Sequence, residues 1–527
     1  MASVFKKIQQ DIDAKIHKTK EFLSHEKDWH NLSGSVHLTT EKIFHPRTVD
    51  DCKRVVRKAA KHSKHIRVAA SGHAFSSLCS TKDYLIITNN LTKITISAHE
   101  KYGHVVIAEA GAKLGNIEKA LSEHTPPLML KTGGLFKEQT VGGAVSVGAT
   151  GMQVSSASIS DDVVALKVIT ADQQVVDFTE EKDPLEMNAA RLSLGLFGII
   201  HTVTLRTRPL QHALLIDSVL PLSNTLNETN ISSLISYKEA LELVYFPFSS
   251  PTFTVADDVI WVRSLVKTDE TPSNEKIEDT LWGNYNVKFN EPLFRFIVNN
   301  PSATPHLVNL LFKAGVKEKK IVVAGGEAYS LNGTIDSVQY VGVEFVIKVN
   351  GYRTVVDALN EVVGKVMSTR YNLTSYEDMT RAQGKSNNER KKIYERAQKD
   401  EFPINLPIRI RFIKASQALL SPLYDSNPST TFAVIDLMSV RDTKGYQDFV
   451  DSVSQTWAKK YDAHTTWSSY WEKIPEIFPQ TRASLGDRRN QFNKFRTKYD
   501  PNGMFFDNES LKRVLLGAGD EANLDEE

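Results

Sequence analysis

Apolar residues first recur at helical spacing near residue 49. Val49, Cys52, Val55, Val56, Ala59 and Ala60 share one face, and Thr48 with an acidic residue three positions on supplies an N-cap. Lysine and histidine follow at its end, where the helix dipole favours positive charge. The run 66–70 then reads as a buried strand, with further strands at 84–88 and 104–110 and a helix over 113–124. Residues 163–170 and 175–178 flank a polar Ala-Asp-Gln-Gln turn and predict a hairpin, and 199–207 predicts another strand. After Pro209 the texture changes. Strands at 241–245, 338–347, 408–413 and 431–438 alternate with helices at 354–367, 445–460 and 482–499, and tight glycine loops disappear over 210–400. Residues 1–40 read as a polar, peripheral extension, the charged stretch 381–400 as an exposed helix or insertion, and 516–527 as an acidic tail.

Composition narrows the class. The 527 residues are 41% hydrophobic and 24% charged, ordinary values for a globular chain with a sizeable core, which exclude global disorder and a disulfide scaffold. Lys+Arg totals 64 and Asp+Glu 63, so the net charge of +1 argues against a nucleic-acid partner. The two cysteines, Cys52 and Cys79, point to a reducing compartment, and the N-terminus lacks the apolar stretch of a secretory signal. No run of 18 apolar residues exists for a transmembrane segment. The expected location is the cytoplasm, with peripheral membrane association compatible. The oligomeric state is not encoded in any pattern.

Two clusters of small residues carry the candidate chemistry. Ser71-Gly72-His73-Ala74-Phe75-Ser76-Ser77 follows the strand at 66–70, and such a loop allows close backbone approach and offers N–H groups and hydroxyls to a pyrophosphate. Gly133-Gly134 precedes a second cluster, 142–151, in which every residue is small or β-branched. A backbone lying flat against a large planar cofactor needs such residues; a surface loop does not. No G-x-G-x-x-G fingerprint appears, and Gly384-Lys385-Ser386 lacks the first glycine of a P-loop, with Met379 in its place. No metal-ligand spacing of the H-E-x-x-H or C-x-x-C kind occurs, and no metal is expected.

Taken together in this order, these segments resemble the FAD-dependent oxidases of the vanillyl-alcohol oxidase type, and within them the sugar-1,4-lactone and alditol oxidases. The resemblance rests on His45-Pro46 with the helix after it, Arg67 to His73, Gly133 to Gly151, Ser193-Leu194-Gly195-Leu196-Phe197-Gly198-Ile199-Ile200, and Asp500-Pro501-Asn502-Gly503-Met504-Phe505. It implies an α+β fold: a PCMH-type FAD-binding domain of two α/β subdomains (41–210, completed by 471–515) and a cap domain with an antiparallel sheet (211–470). It implies FAD contacts at Ala70, Ser71, Gly72, His73, Ala74, Phe75, Ser76, Gly134, Thr140, Gly143, Val147, Gly148, Ala149, Thr150 and Ile200. His73 matches the histidine that bonds covalently to the flavin in these oxidases.

The same resemblance implies catalytic roles for Arg411, whose charge would stabilise the reduced flavin or the substrate oxygen, for Lys473 near flavin and substrate, and for Gly133, whose missing side chain would admit O2. Arg409 stands where these oxidases carry the glutamate that orients the substrate hydroxyl. Period-2 alternation puts Arg409 and Arg411 on one strand face, so the pair implies either a salt-bridged face or a doubly positive pocket for a carboxylate-bearing substrate. The implied activity is hydride transfer from an alcohol carbon of a small lactone or polyol to FAD, with O2 as acceptor. A hydroxy acid is the rival substrate, and flavin binding without turnover the rival function.

Overall fold

The computed structural model describes residues 22–24, 26–134, 136–249, 258–273, 291–328, 339–371, 402–474 and 476–516. The expected charged insertion at 381–400 and the acidic tail from 517 lie outside the described residues. An antiparallel hairpin, β1 (Asp28–His30) and β2 (His37–Thr39), comes first. A parallel three-stranded sheet follows, in the order β3 (Lys42–Phe44), β5 (Tyr84–Ile87), β4 (Ile66–Ala69). Helix α1 (Val49–Lys61) covers it, capped by the Thr48 hydroxyl accepting from Asp51 N at 3.1 Å. Its apolar stripe of Cys52, Val55, Val56 and Ala59 packs with Phe44, Ile66, Tyr84 and Ile86.

A second, antiparallel sheet completes the N-terminal half. Its order is β10 (Val175–Thr179), β9 (Val163–Ile169), β11 (Ile199–Pro209), β7 (Gly103–Glu109), β6 (Ile94–His99), with β8 (Leu128–Leu130) also on β11. Helices α2 (Leu114–Ser122), α3 (Val141–Val147) and α4 (Pro184–Ala190) pack beside it. The segment expected to lie flat over 142–151 begins instead as the short helix α3. Gly142 explains this: a Cβ there would sit 2.9 Å from the Ala110 carbonyl oxygen, so only glycine lets the helix seat against the sheet.

Strand β11 runs almost directly into β12 (His212–Pro221), the first strand of an eight-stranded antiparallel cap sheet. With β13 (Ala240–Phe246), β14 (Val259–Thr268), β15 (Lys319–Ala324), β16 (Tyr340–Lys348), β17 (Ile408–Lys414), β18 (Thr431–Val440) and β19 (His464–Thr465), the order is β15-β12-β14-β13-β17-β18-β16-β19. Successive side chains alternate between faces. Leu241, Leu243, Ile410, Phe412, Ile435 and Phe345 join the core formed with helices α7 (Tyr352–Tyr371) and α8 (Tyr446–Tyr461). Of the opposite face, Val244, Phe246, Trp261, Met438 and Val440 pack under α5 (Glu291–Asn299) and α6 (Thr304–Gly315). The remainder, with Glu242, Arg409, Arg411, Asp436 and Glu344, turns toward the N-terminal half.

The chain then returns. Helix α9 (Ile477–Tyr499) starts earlier than its charge pattern predicts and breaks at Gly486, φ 49°. Asp500 closes it: its carboxylate accepts from Met504 N at 2.8 Å and Phe505 N at 2.7 Å. Ile66 N donates to Met504 O at 2.8 Å, which ties the C-terminal segment to β4. The buried Arg67 guanidinium donates to Leu78 O, Phe505 O and Leu194 O at 2.5–2.9 Å. Burial pulls its pKa down to about 10, so it stays charged at neutral pH. Among the described residues no helix is long and apolar enough to cross a membrane.

Replacing Arg67 by Met removes a charged donor from three carbonyls. At about 1.5 kcal/mol or more per bond to a charged group, the loss should exceed about 4 kcal/mol. A lowered urea midpoint with loss of the 500–508 contacts by hydrogen exchange is the expected outcome.

Candidate active site

The loop after β4 is clasped from two sides. On one side Asn31 Nδ2 donates to Ala74 O at 2.8 Å, Leu32 N to Gly72 O at 2.9 Å, and the Ser35 hydroxyl to Phe75 O at 3.2 Å. On the other, Phe75 N donates to Ser468 O at 2.7 Å, while Ser77 N and Oγ donate to the Glu472 carboxylate at 2.5 and 2.7 Å. Burial pushes the Glu472 carboxyl up, against the pull of those two bonds. Gly72 has φ +70°, a conformation that suits glycine. The hairpin at 28–39 is thus part of the site wall, and for these residues the reading as peripheral is corrected. Its polar residues serve hydrogen bonds to the loop.

Between this loop, α3 and the polar part of the cap face lies a cleft that opens to solvent. Ala70, Ser71, Gly72, His73, Ala74, Phe75, Ser76, Thr140, Gly143, Val147, Gly148, Ala149, Thr150 and Ile200 all line it, as do Arg409 and Arg411. His73 stacks on Phe136, ring centroids 6.1 Å apart. Three expected residues lie outside the lining. Gly133 and Gly134 are buried behind it; a Cβ on Gly134 would meet Leu114 Cδ1 at 2.2 Å, and Gly133 O would lie 2.4 Å from a Cβ on Gly151. Lys473 is exposed, with its carbonyl accepting from Gln447 Nε2 at 2.9 Å. Its neighbour Glu472 is the residue of that segment which touches the cofactor loop.

The cleft fits a dinucleotide such as FAD. A Cβ on Gly143 would meet only Thr140 Oγ1, at 3.1 Å, and one on Gly195 would meet nothing within 4 Å, so both glycines leave room for a ligand. The Ser76 hydroxyl and Gln139 Oε1 are buried at the cleft with no hydrogen-bond partner among the described residues.

The cap contributes five charged groups. Arg409 Nε donates to Glu242 Oε1 at 2.8 Å, and its Nη2 reaches the same oxygen. Arg411 Nη1 donates to Thr150 Oγ1 at 2.8 Å and Gly151 O at 3.0 Å, and its Nη2 to Glu344 Oε1. Glu344 Oε2 accepts from the Thr466 hydroxyl at 2.8 Å. Asp436 completes the group, opposite Arg409 and Glu344 in the strand ladder. Two guanidiniums therefore meet three carboxylates, so of the two expected alternatives the structure shows the salt-bridged face and not the doubly positive pocket. Each arginine has its own counter-ion, as charges this deeply buried require.

Glu242, Glu344 and Asp436 were missed in the sequence. Each is a single carboxylate inside an otherwise apolar strand, Leu-Glu-Leu, Val-Glu-Phe and Ile-Asp-Leu. Buried carboxylates are rare without a partner or a function, so that pattern is the signal that finds them.

Residues 40–179 match the FAD binding domain family, and 203–514 match the D-arabinono-1,4-lactone oxidase family. L-gulono-1,4-lactone dehydrogenase of Mycobacterium tuberculosis is 24% identical over 498 residues, 92% of this chain and 99% of the relative. D-arabinono-1,4-lactone oxidase of Candida glabrata is 25% identical over 302 residues, 56% of this chain and 55% of the relative. In fold, the chain is similar to the crystal structure of cholesterol oxidase from B. sterolicum, with TM-score 0.75, 16% identity, and coverage of 94% of this chain and 97% of that one.

Gly143→Leu should fill the cradle. The expected result is a protein with unchanged circular dichroism that purifies without flavin absorbance.

The loop, the glycine cradle and the arginine strand thus occur together in a chain whose larger part matches one family over 312 residues, and the chain belongs to the D-arabinono-1,4-lactone oxidase family, built on an FAD-binding domain.

Proposed function

We propose that this protein oxidises an alcohol carbon of an uncharged polyhydroxylated substrate, an aldonolactone or polyol, with O2 as final acceptor and H2O2 as product. Bound FAD supplies the hydride acceptor. The loop 70–76, α3 and Thr150 hold it, while the cap face positions the substrate carbon against it and excludes water. Arg411, anchored on Thr150 and Gly151, presents positive charge where negative charge develops on the substrate oxygen.

The observation that carries this reading is the pairing of Arg409 with Glu242 and of Arg411 with Glu344. With both guanidiniums already paired, the site suits hydroxyls better than a carboxylate, because a substrate carboxylate would have to compete with buried ion pairs for them. The names of the relatives, which are lactone oxidases and lactone dehydrogenases, support the same substrate class. For the acceptor, the support is that the relatives include lactone oxidases. For a covalent bond to FAD through His73, it is the placement of that imidazole on a clasped loop in the cleft wall. Both cysteines are unpaired, which suits a cytoplasmic setting.

The test is anaerobic mixing of the purified flavoprotein with sugar lactones, polyols and hydroxy acids. Bleaching of the flavin by lactones or polyols is expected, and absence of bleaching by all of them contradicts the reading. On admitting air, stoichiometric peroxide is expected; reoxidation only by an added dye would make the protein a dehydrogenase. Acid precipitation should leave yellow colour in the pellet, and His73→Ala should release it to the supernatant.

A further inference from the structure

Oxidation of a hydroxyl releases its proton, and the two guanidiniums that β17 presents, Arg409 and Arg411, cannot accept it. Two carboxyls line the cleft among the described residues, Glu344 and Asp436. Glu344 has both oxygens engaged, by Arg411 and by Thr466. Asp436 differs. It is 6% exposed, it lines the cleft, and its buried Oδ1 meets no donor among the described residues. A carboxylate this poorly partnered is costly to bury, and a substrate hydroxyl arriving in the cleft would donate to the edge of the carboxyl that faces it.

We propose that Asp436 is the catalytic base of this enzyme, taking the hydroxyl proton of the substrate. The proposal rests on the alcohol-oxidase reading above. In the step, the substrate O–H bond breaks and its proton goes to the Asp436 carboxylate. The adjacent C–H bond breaks with both electrons, which FAD held by the 70–76 loop would accept as hydride. The C–O single bond becomes C=O, and the substrate loses the two electrons that the cofactor would gain. Asp436 later gives its proton to solvent.

The surroundings of Asp436 tune it for this. Arg409 and Arg411 on β17 favour its ionised form. Burial, Glu344 on β16 and Glu242 on β13 oppose it, and together they push it up to about 7. Tyr446 on α8 is turned away, its hydroxyl donating to Leu437 O at 2.8 Å. From the opposite wall the titratable residues lining the cleft are Arg67, His73 and Cys79. A base must be ionised to accept a proton, so turnover should rise as pH rises through about 7 and level off above it.

The experiment compares wild-type holoenzyme with Asp436→Asn and Asp436→Glu in anaerobic stopped flow, across pH, with a lactone that bleaches the wild type. Asp436→Asn should keep flavin content and spectrum, lose roughly 10²–10⁴-fold in the rate of flavin reduction, and lose the limb near 7. Asp436→Glu, which keeps the carboxyl, should recover part of the rate. Infrared difference titration of the holoenzyme supplies a second readout, a carboxyl band that titrates near neutral pH and is missing in Asp436→Asn. An Asn variant reduced within a few-fold of wild type, with the pH limb retained, overturns the role of Asp436 alone. Wild-type flavin that no lactone or polyol bleaches overturns the oxidation itself, and the base with it.

Discussion

Arg67 is the interaction on which the architecture depends. A guanidinium offers five N–H donors in a fixed fork, and this one makes four hydrogen bonds to carbonyls inside the protein. It reaches the carbonyls of Leu78, Leu194 and Phe505, which lie just after the cofactor loop, in the Ser-Leu-Gly segment before β11, and in the C-terminal return. Three stretches separated by hundreds of residues therefore converge on one side chain at the floor of the cleft. A buried charge tolerates such a place only when its donors are satisfied, so the convergence and the charge specify each other.

The cofactor loop inherits its shape from that anchor and from its two clasps. Asn31 and Leu32 hold it from the N-terminal hairpin, and Ser468 and Glu472 from the segment leaving the cap. The cap thereby does more than roof the site. It helps fix the loop that carries His73, so that cofactor binding and cap position are mechanically linked. The same cap sheet then presents Arg411 directly to Thr150, joining the two halves across the site through one hydrogen-bonded pair.

Much of this was legible in the sequence where a local rule governs. The Thr48 cap, the stripe from Val49 to Ala59 and the alternation around Arg409 and Arg411 all follow from spacing, because each element decides its own periodicity. The small residues at 142–151 announced a close approach, but sequence alone could not tell a flat loop from a helix pressed on Ala110. Glycine serves both, and the choice is made by the sheet beneath. Partners of buried charges were illegible for a different reason. Glu242 lies 167 positions from Arg409, and only the strand order β13-β17-β18-β16 brings Glu242, Arg409, Asp436 and Glu344 together. Lys473 shows the converse: a one-residue difference in direction places Glu472 against the loop and leaves the lysine in solvent.

The proposed specificity is electrostatic: with both arginines paired, the site would take a neutral, hydroxylated substrate. It is tested most directly by presenting one carbon skeleton in two charge states. The rate of anaerobic flavin reduction should be measured with a sugar γ-lactone and with the aldonate obtained by opening its ring. The account predicts rapid reduction by the lactone and little by the aldonate. Faster reduction by the aldonate would mean that Arg409 and Arg411 release their carboxylates to bind the substrate's, and would contradict it.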